Sequence, residues 1–320
     1  MPSGDKSNRD EAIPTLIIGY KRVTNIIKIV ELCLQAGVRD IYIYLDGQKN
    51  SKPSSSEISD ELISSLQPYL NEKSTEFHLS LQPTNQGAAV SVIRAVDWAM
   101  KSVDQLLILE DDCIPSLDFF LFCKEMIDLL GSSSSIWCAS GSQFVPESMT
   151  KGRAYISRYS LTWGWCTTRK NWEEMRKALE TELEHISITS LLTTNPQEAF
   201  WASGTRRALK GYTDVWDTIM VYLMQKNKKF SILPGNSLVT NIGDDEAATH
   251  TGLDSRWTHS KIGSYKPQES LDQNEKADSW LKSNFYEIRL RHLFSTKIRF
   301  FMDMFSPTKF DKPLLNRLRD

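Results

Sequence analysis

Glu110, Asp111 and Asp112 are consecutive carboxylates standing directly behind the apolar run Leu106-Leu107-Ile108-Leu109, with Cys113-Ile114-Pro115-Ser116 after them. Like charges this close in a partly desolvated place repel, and one or more must take up a proton unless a cation is near. A divalent ion removes the conflict. Mg²⁺ and Mn²⁺ prefer oxygen ligands and are commonly held by one or two carboxylates together with substrate phosphates. The aliphatic run reads as a strand buried on both faces, as inside a parallel sheet, and open α/β sheets bind ligands outside the carboxyl ends of their strands. The triplet therefore falls where a metal-bound, phosphate-bearing substrate would sit. The plainer alternative is an acidic turn capping the next helix, Asp118 to Leu130, with Ser116 as N-cap. A cap needs one acid, not three behind a fully apolar strand, which favours the metal.

Other candidates are scattered along the chain. Lys21-Arg22 directly follows a first apolar strand, and Asp46-Gly47 closes a second. Trp216-Asp217 opens a helical stretch, where an acid is favoured by the helix dipole and needs no other reason to be there. Trp163 and Trp165 flank Gly164. For at least one of them core filling is the simpler account, while an aromatic face would also make a floor for a sugar. Thr249 and His250 lie in a polar loop after the strand-like Ser237 to Gly243, a setting open to phosphate or metal contact as well as to plain solvation. Neither Gly-x-Gly-x-x-Gly nor Gly-x-x-x-x-Gly-Lys-Ser/Thr occurs, so any phosphate must be met by metal and side chains.

The elements that would hold these residues follow from periodicity. Ile13 to Tyr20 is a strand, Val23 to Ala36 has helical spacing and ends at Gly37, and Ile41 to Leu45 is a second strand. So short a strand–helix–strand run implies a right-handed parallel crossover and a doubly wound α/β sheet. A Ser-rich loop, a helix from Glu57 to Leu70, a strand at Phe77 to Leu81 and a helix through Trp98 and Met100 lead into the acidic strand. Ser135 to Gly141 and Phe230 to Pro234 read as later strands, Gln197 to Ala202 and Tyr212 to Met224 as helices. Residues 261 to 283 are polar and read as loose. Residues 285 to 305 mix basic and bulky apolar side chains, read as a helix packing on the domain or an amphipathic element at a membrane surface or partner.

The 320 residues, 40% hydrophobic and 24% charged with net charge −2, describe a globular chain with no global field for nucleic acid. The first ten residues lack the apolar core of a signal peptide, and no stretch reaches the roughly 18 apolar residues of a membrane span. Five scattered cysteines without a Cys-x-x-Cys pair argue for a reducing compartment and against structural zinc. The expectation is a cytoplasmic protein.

In motif order over residues 12 to 252 the chain resembles the nucleotide-diphospho-sugar transferases of the GT-A fold. Among these it resembles the N-acetylglucosaminyltransferase I family, and it is also similar to bacterial transferases described as haemolytic-protein-like. The stretches that carry this are Ala12 to Ile18 followed by Arg22, Leu45-Asp46-Gly47, Glu110-Asp111-Asp112 with Pro115, Asp118-Phe119-Phe120, Ile136 to Ser140, Trp163-Gly164-Trp165 and Val215-Trp216-Asp217. The resemblance implies a Rossmann-like, doubly wound mixed sheet over residues 12–258, after a flexible leader at 1–11 and before a linker and helical appendage at 259–320. It implies that Arg22 and Asp46 hold the uracil or ribose end of a uridine nucleotide, that Glu110 and Asp111 contact sugar and ribose, and that Asp112 ligates Mn²⁺ or Mg²⁺ bridging the diphosphate. Asp217 would be the general base for the acceptor hydroxyl, with Trp216 beside the donor, and Thr249-His250 would belong to a segment closing over the diphosphate. The implied activity is metal-dependent transfer from a nucleotide-diphospho-sugar, UDP-linked by expectation. Asp217 acting as base on the face opposite the leaving group would make it inverting, and the polar leader with the basic, aromatic tail sets the expectation of a glycan or glycolipid acceptor in bacterial surface glycan synthesis. Eukaryotic members begin with an anchor and stem where this chain has a polar leader, so Golgi residence and an N-glycan acceptor are not carried over. The expected location is the cytoplasm, with peripheral contact at the inner membrane face.

Two alternatives differ in class. A sugar nucleotidyltransferase would share the fold, with a Gly-rich, Arg-containing loop after the first strand where this chain has Gly19-Tyr20-Lys21-Arg22. A non-catalytic nucleotide- or carbohydrate-binding protein would have lost the last acid of the triplet or the base, and both Asp112 and Asp217 are present.

Overall fold

Alternate residues of the first, second and fourth strands face two different cores, because side chains on a strand point to opposite sides of the sheet. Leu16, Ile18, Tyr42, Tyr44, Leu106 and Ile108 share one hydrophobic cluster, whereas Ile17, Ile41, Ile43, Leu45, Leu107 and Leu109 belong to the other. Both faces must then be covered by helices, which makes the sheet the middle of three layers. The structure is a computed structural model that describes residues 12–48, 57–70, 74–185, 193–243, 257–303 and 305–319.

The strands are β1 (Thr15–Gly19), β2 (Asp40–Leu45), β3 (Glu76–Leu81), β4 (Gln105–Glu110), β5 (Cys113–Pro115), β6 (Ile136–Ser140), β7 (Tyr155–Ser157), β8 (Trp165–Thr168), β9 (Phe230–Leu233) and β10 (Val239–Asn241). Eight form one sheet in the order β3-β2-β1-β4-β8-β6-β9-β7, and β5 pairs with β10 in a separate ribbon. Strands β1 to β4 run parallel, and β8 enters antiparallel between β4 and β6. The fold is a mixed α/β, Rossmann-like sheet; the apolar periodicity predicts its α/β alternation and the resemblance its mixed, Rossmann-like form.

The helices are α1 (Val23–Gln35), α2 (Glu57–Leu66), α3 (Ala88–Ala99), α4 (Leu117–Ser132), α5 (Glu147–Thr150), α6 (Arg169–His185), α7 (Pro196–Leu209), α8 (Asp217–Lys226), α9 (Glu275–Trp280), α10 (His292–Asp303) and α11 (Leu314–Arg319). One cluster takes buried residues from α1, α2 and α4, and the other from α3, α6, α7 and α8. Residues Ala277, Leu281, Ile288 and Leu314 of the C-terminal part join this second core.

Several expectations change. Strands β5, β7 and β8 are three or four residues each, too short for periodicity to register, and the strand-like Ser237 to Gly243 narrows to β10. Ser116 stands at the N-cap of α4 without a side-chain cap bond, because its hydroxyl donates to the Leu238 carbonyl at 3.0 Å. The carboxylate triplet is separated from α4 by β5, so it does not cap that helix. Residues 261 to 283 are not loose. The Tyr265 hydroxyl donates to Glu125 at 2.6 Å, Gln273 bridges to Ile156, and Asp278 accepts from the Ser157 hydroxyl at 2.6 Å. All five cysteines are buried and free. Among the described residues no helix is long and apolar enough to cross a membrane.

Candidate functional site

Strands β1, β2 and β4 end side by side, with Gly19 level with Leu45 and Ile18 level with Glu110. The chain leaving each strand therefore emerges at one edge of the sheet. Arg22, Asp46, Glu110, Asp111 and Asp112 all line one cavity there.

The carboxylates around this cavity do different work. Asp111 is a clamp. One oxygen accepts from the Tyr20 amide at 2.8 Å, and the other receives the Arg22 guanidinium at 3.0 Å. Asp46 is saturated too, accepting from the amides of Gly47, Gln86 and Gly87 and from the Asn85 side chain, all between 2.9 and 3.2 Å. Asp214 accepts from the amides of Ala88 and Ala89 at 2.9 and 3.0 Å and so caps α3, whose positive end would otherwise attract an anion. Gly87 has φ +81, and a Cβ there would lie 2.6 Å from that same carboxylate. A glycine satisfies both constraints at this turn.

Glu110 and Asp112 are not consumed in this way. Burial disfavours the charge on Glu110, and Asp112, Asp111 and Asp217 add repulsion, so its carboxyl is pushed up to about 8 despite the opposing Arg22. Burial and Asp111 also raise Asp112, while the Cys113 thiol, Arg22 and Asn241 hold it down. The thiol donates to Asp112 at 3.2 Å, and the Arg22 guanidinium is 3.8 Å from its other oxygen. Gly243 packs against this carboxylate so closely that a Cβ would fall 2.3 Å from it.

These acids fit a divalent cation of the kind held by a single carboxylate and substrate phosphates. Their mutual repulsion is the strain a cation would relieve, and Asp112 keeps acceptor capacity facing the cavity. They do not form a closed protein cage. Among the described residues, the one group whose donor atoms all lie within 4.8 Å of one another is Asp40, Glu76 and His78. That group sits toward the amino ends of β2 and β3, away from the cavity, and His78 stacks on Tyr42 with centroids 4.2 Å apart.

Asp217 is the first residue of α8, exposed, and close enough to the acids that its charge acts on Glu110. The tryptophans divide. Trp165 is 1% exposed and packs on Trp216 at 5.2 Å and Trp172 at 6.2 Å, so its faces are spent in the core. Trp216 is buried beside it, whereas half-buried Trp163 packs edge-on against Phe144, in an aromatic group with Trp257 and Phe285. The core-filling account suits Trp165, and a sugar floor remains open only at Trp163. Thr249 and His250 lie outside the described residues.

Sequence reasoning missed Asp214, Lys309 and Phe310, which also border the cavity. Lys309 and Phe310 come from the C-terminal part of the chain, nearly a hundred residues from Asp214, yet the Lys309 ammonium stands 3.9 Å from that carboxylate. No local pattern could have marked them.

No protein-family model and no curated protein matches the chain. Solved structures similar to it include a glucose-1-phosphate thymidylyltransferase from Bacillus anthracis in complex with sucrose, at 13% identity and TM-score 0.40, covering 79% of this chain and 98% of that one. A UDP-glucose pyrophosphorylase complexed with UDP-glucose is 12% identical at TM-score 0.37, covering 69% of this chain and 90% of the other. HddC from Yersinia pseudotuberculosis is 12% identical at TM-score 0.32, covering 51% and 80%. Likenesses this distant assign no activity. The resemblance to the N-acetylglucosaminyltransferase I family gains no support from them and rests on motif order.

Proposed function

We propose that this protein is a nucleotide-sugar-dependent enzyme, and that it transfers the sugar to a hydroxyl acceptor with inversion at the anomeric carbon. The observation that carries the reading is the convergence of Arg22, Asp46 and Glu110 to Asp112 on one cavity at the carboxyl ends of β1, β2 and β4, with Asp217 in electrostatic reach. The nucleoside lies against the loops that Asp111 and Asp46 brace, and the diphosphate lies toward Asp112. Asp112 would hold Mn²⁺ or Mg²⁺, which when bound supplies Lewis-acid neutralisation of the leaving diphosphate. Asp217 takes the proton from the acceptor hydroxyl as the new bond to the anomeric carbon forms. The bond from that carbon to phosphate breaks, its electron pair leaving with the nucleoside diphosphate. General-base help of this kind is worth about 10²–10⁴-fold. Trp163, and not Trp165, is the candidate sugar platform, and the acceptor is a glycan or glycolipid hydroxyl.

A second reading, sugar nucleotidyltransfer, matches the names of two of the distant structures. It would join a sugar-1-phosphate to a nucleoside triphosphate and release pyrophosphate. Against it stands the short turn Gly19 to Arg22, without a glycine-rich loop and pinned to Asp111.

The test is a panel of UDP-, GDP-, CMP- and dTDP-sugars with Mn²⁺ or chelator, beside nucleoside triphosphates with sugar-1-phosphates. Metal-dependent release of a nucleoside diphosphate from one donor, lost in Asp112→Ala, is the expected result. Pyrophosphate release from a triphosphate would replace it with the second reading, and absence of all binding would make this a non-catalytic relative of the fold. Asp217→Asn should cut kcat by about 10²-fold or more with donor binding nearly intact, and a retained anomeric configuration in the product would exclude the inverting mechanism.

A further inference from the structure

Helix α10 faces the wrong way for an ordinary surface helix. Its inner side carries buried Thr296 and Asp303 and packs on α7. Asp303 is ion-paired to Arg206 at 3.1 Å and to Arg207, and the Arg206 guanidinium lies 4.3 Å from the Phe300 ring centroid. The Tyr212 hydroxyl donates to the Asp303 carbonyl at 2.5 Å, locking the end of the helix. The opposite side carries Phe294, Ile298, Phe301 and Met302 at spacings of four, three and one, a single stripe on a helix of 3.6 residues per turn. Leu290 and Phe305 extend it beyond either end, and exposure runs from 61% at Ile298 to 88% at Phe305. A globular helix ordinarily turns such a stripe inward, and a contiguous exposed apolar patch marks a surface that something covers.

The charges around the stripe identify what. Residues 289–312 contain six Lys or Arg and two Asp, and one of those acids, Asp303, is buried in its ion pairs. Lys297 and Arg299 flank the stripe on opposite sides and Arg291 immediately precedes the helix, all exposed. A second copy docked about a two-fold axis would set this net-positive surface against itself. An anionic bilayer complements both features at once, since apolar side chains enter the acyl boundary while lysine and arginine meet the headgroups. We propose that α10 is an in-plane anchor by which this protein binds anionic membrane surfaces. Lys309 and Phe310, a short way beyond the stripe, border the cavity, so the membrane-bound protein holds its site beside the lipid. Only the corollary that the acceptor is lipid-borne rests on the function proposed above; vesicle binding is independent of it.

Full-length protein should co-sediment at about 0.1 M salt with vesicles of phosphatidylcholine containing about one-third phosphatidylglycerol, and not with phosphatidylcholine alone. Binding should be lost at about 1 M salt, where the Debye length is about 3 Å. Lys297→Gln with Arg299→Gln should weaken it about 25-fold, from about fivefold per cation. Phe294→Ser with Phe301→Ser should weaken it by at least about 10-fold, with unchanged near-UV circular dichroism because neither ring is on the packed face. Failure of the wild type to bind anionic vesicles, or equal binding to neutral ones, overturns the proposal. So does a wild-type dimer that Phe294→Ser converts to monomer, because the stripe then belongs to a second copy. The vesicle result needs no donor or acceptor, so it stands or falls apart from the glycosyl-transfer assay.

Discussion

Asp111 holds the Arg22 guanidinium at 3.0 Å while its other oxygen takes the Tyr20 amide at 2.8 Å, so the middle acid of the triplet is the brace of the β1 loop. Its neighbour Asp112 receives the thiol of Cys113 and a longer approach from Arg22. Asp111→Asn should therefore destabilise the protein by about 2 kcal/mol, because a charged hydrogen bond is lost where its partner is part-buried. Asp112→Asn removes a like charge and should leave the metal-free protein as stable as wild type or more so, while abolishing Mn²⁺-dependent donor binding. Thermal unfolding and titration calorimetry on the two variants separate the roles, and equal loss of stability in both would contradict them.

Gly243→Ala should act on Asp112 at a distance from any ligand. The new methyl carbon would stand 2.3 Å from the carboxylate, so carboxylate or loop must move. A displacement of about 1 Å at a metal ligand can cost about 10²-fold in rate, and the expected signature is weaker Mn²⁺ affinity with a small change in Tm. Unchanged Mn²⁺ affinity would show that the loop gives way instead.

Glu110 predicts a pH dependence whose sign is opposite to that of an ordinary salt-bridged acid. Its folded value is raised from 4.5 to about 8, so between these the native state holds a proton that the unfolded chain has released. Stability of the metal-free protein should then fall as pH rises through this window. Glu110→Gln should flatten the decline, measured as denaturant midpoints from pH 5 to about 8.5. A wild-type profile that rises with pH would refute the assignment.

Trp165→Ala and Trp163→Ala should separate fold from site. Trp165 lies in the core between Trp216 and Trp172, and its removal should cost about 3–5 kcal/mol. Half-buried Trp163 should cost less in stability and show its effect as a raised KM for the sugar-bearing substrate. A large stability loss and unchanged KM at Trp163 would place it with the core.

The sheet and the triplet were legible in the sequence for one reason. A strand buried on both faces has to be apolar along its length, so Leu106 to Leu109 announces both the strand and the place where its polarity stops. Helix α1 was readable from its 3.6-residue spacing, α3 from the small residues that open it, and α4 from Ser116 at its start. Strands β5, β7 and β8 were not, because three or four residues carry no period and their pairing is decided by partners far along the chain. The same limit applies to the division of labour among the acids. Asp46, Asp111, Asp112 and Asp214 are chemically alike in the sequence, and only the tertiary fold decides which of them meet backbone amides and which keep a free lone pair. It also decided that Trp165 is core, that Lys309 and Phe310 reach the cavity from the far end of the chain, and that α10 turns its apolar stripe outward. The spacing of Phe294, Ile298, Phe301 and Met302 fixes that they share a side of a helix, but which side is covered depends on Arg206 and Arg207 gripping Asp303 from another element.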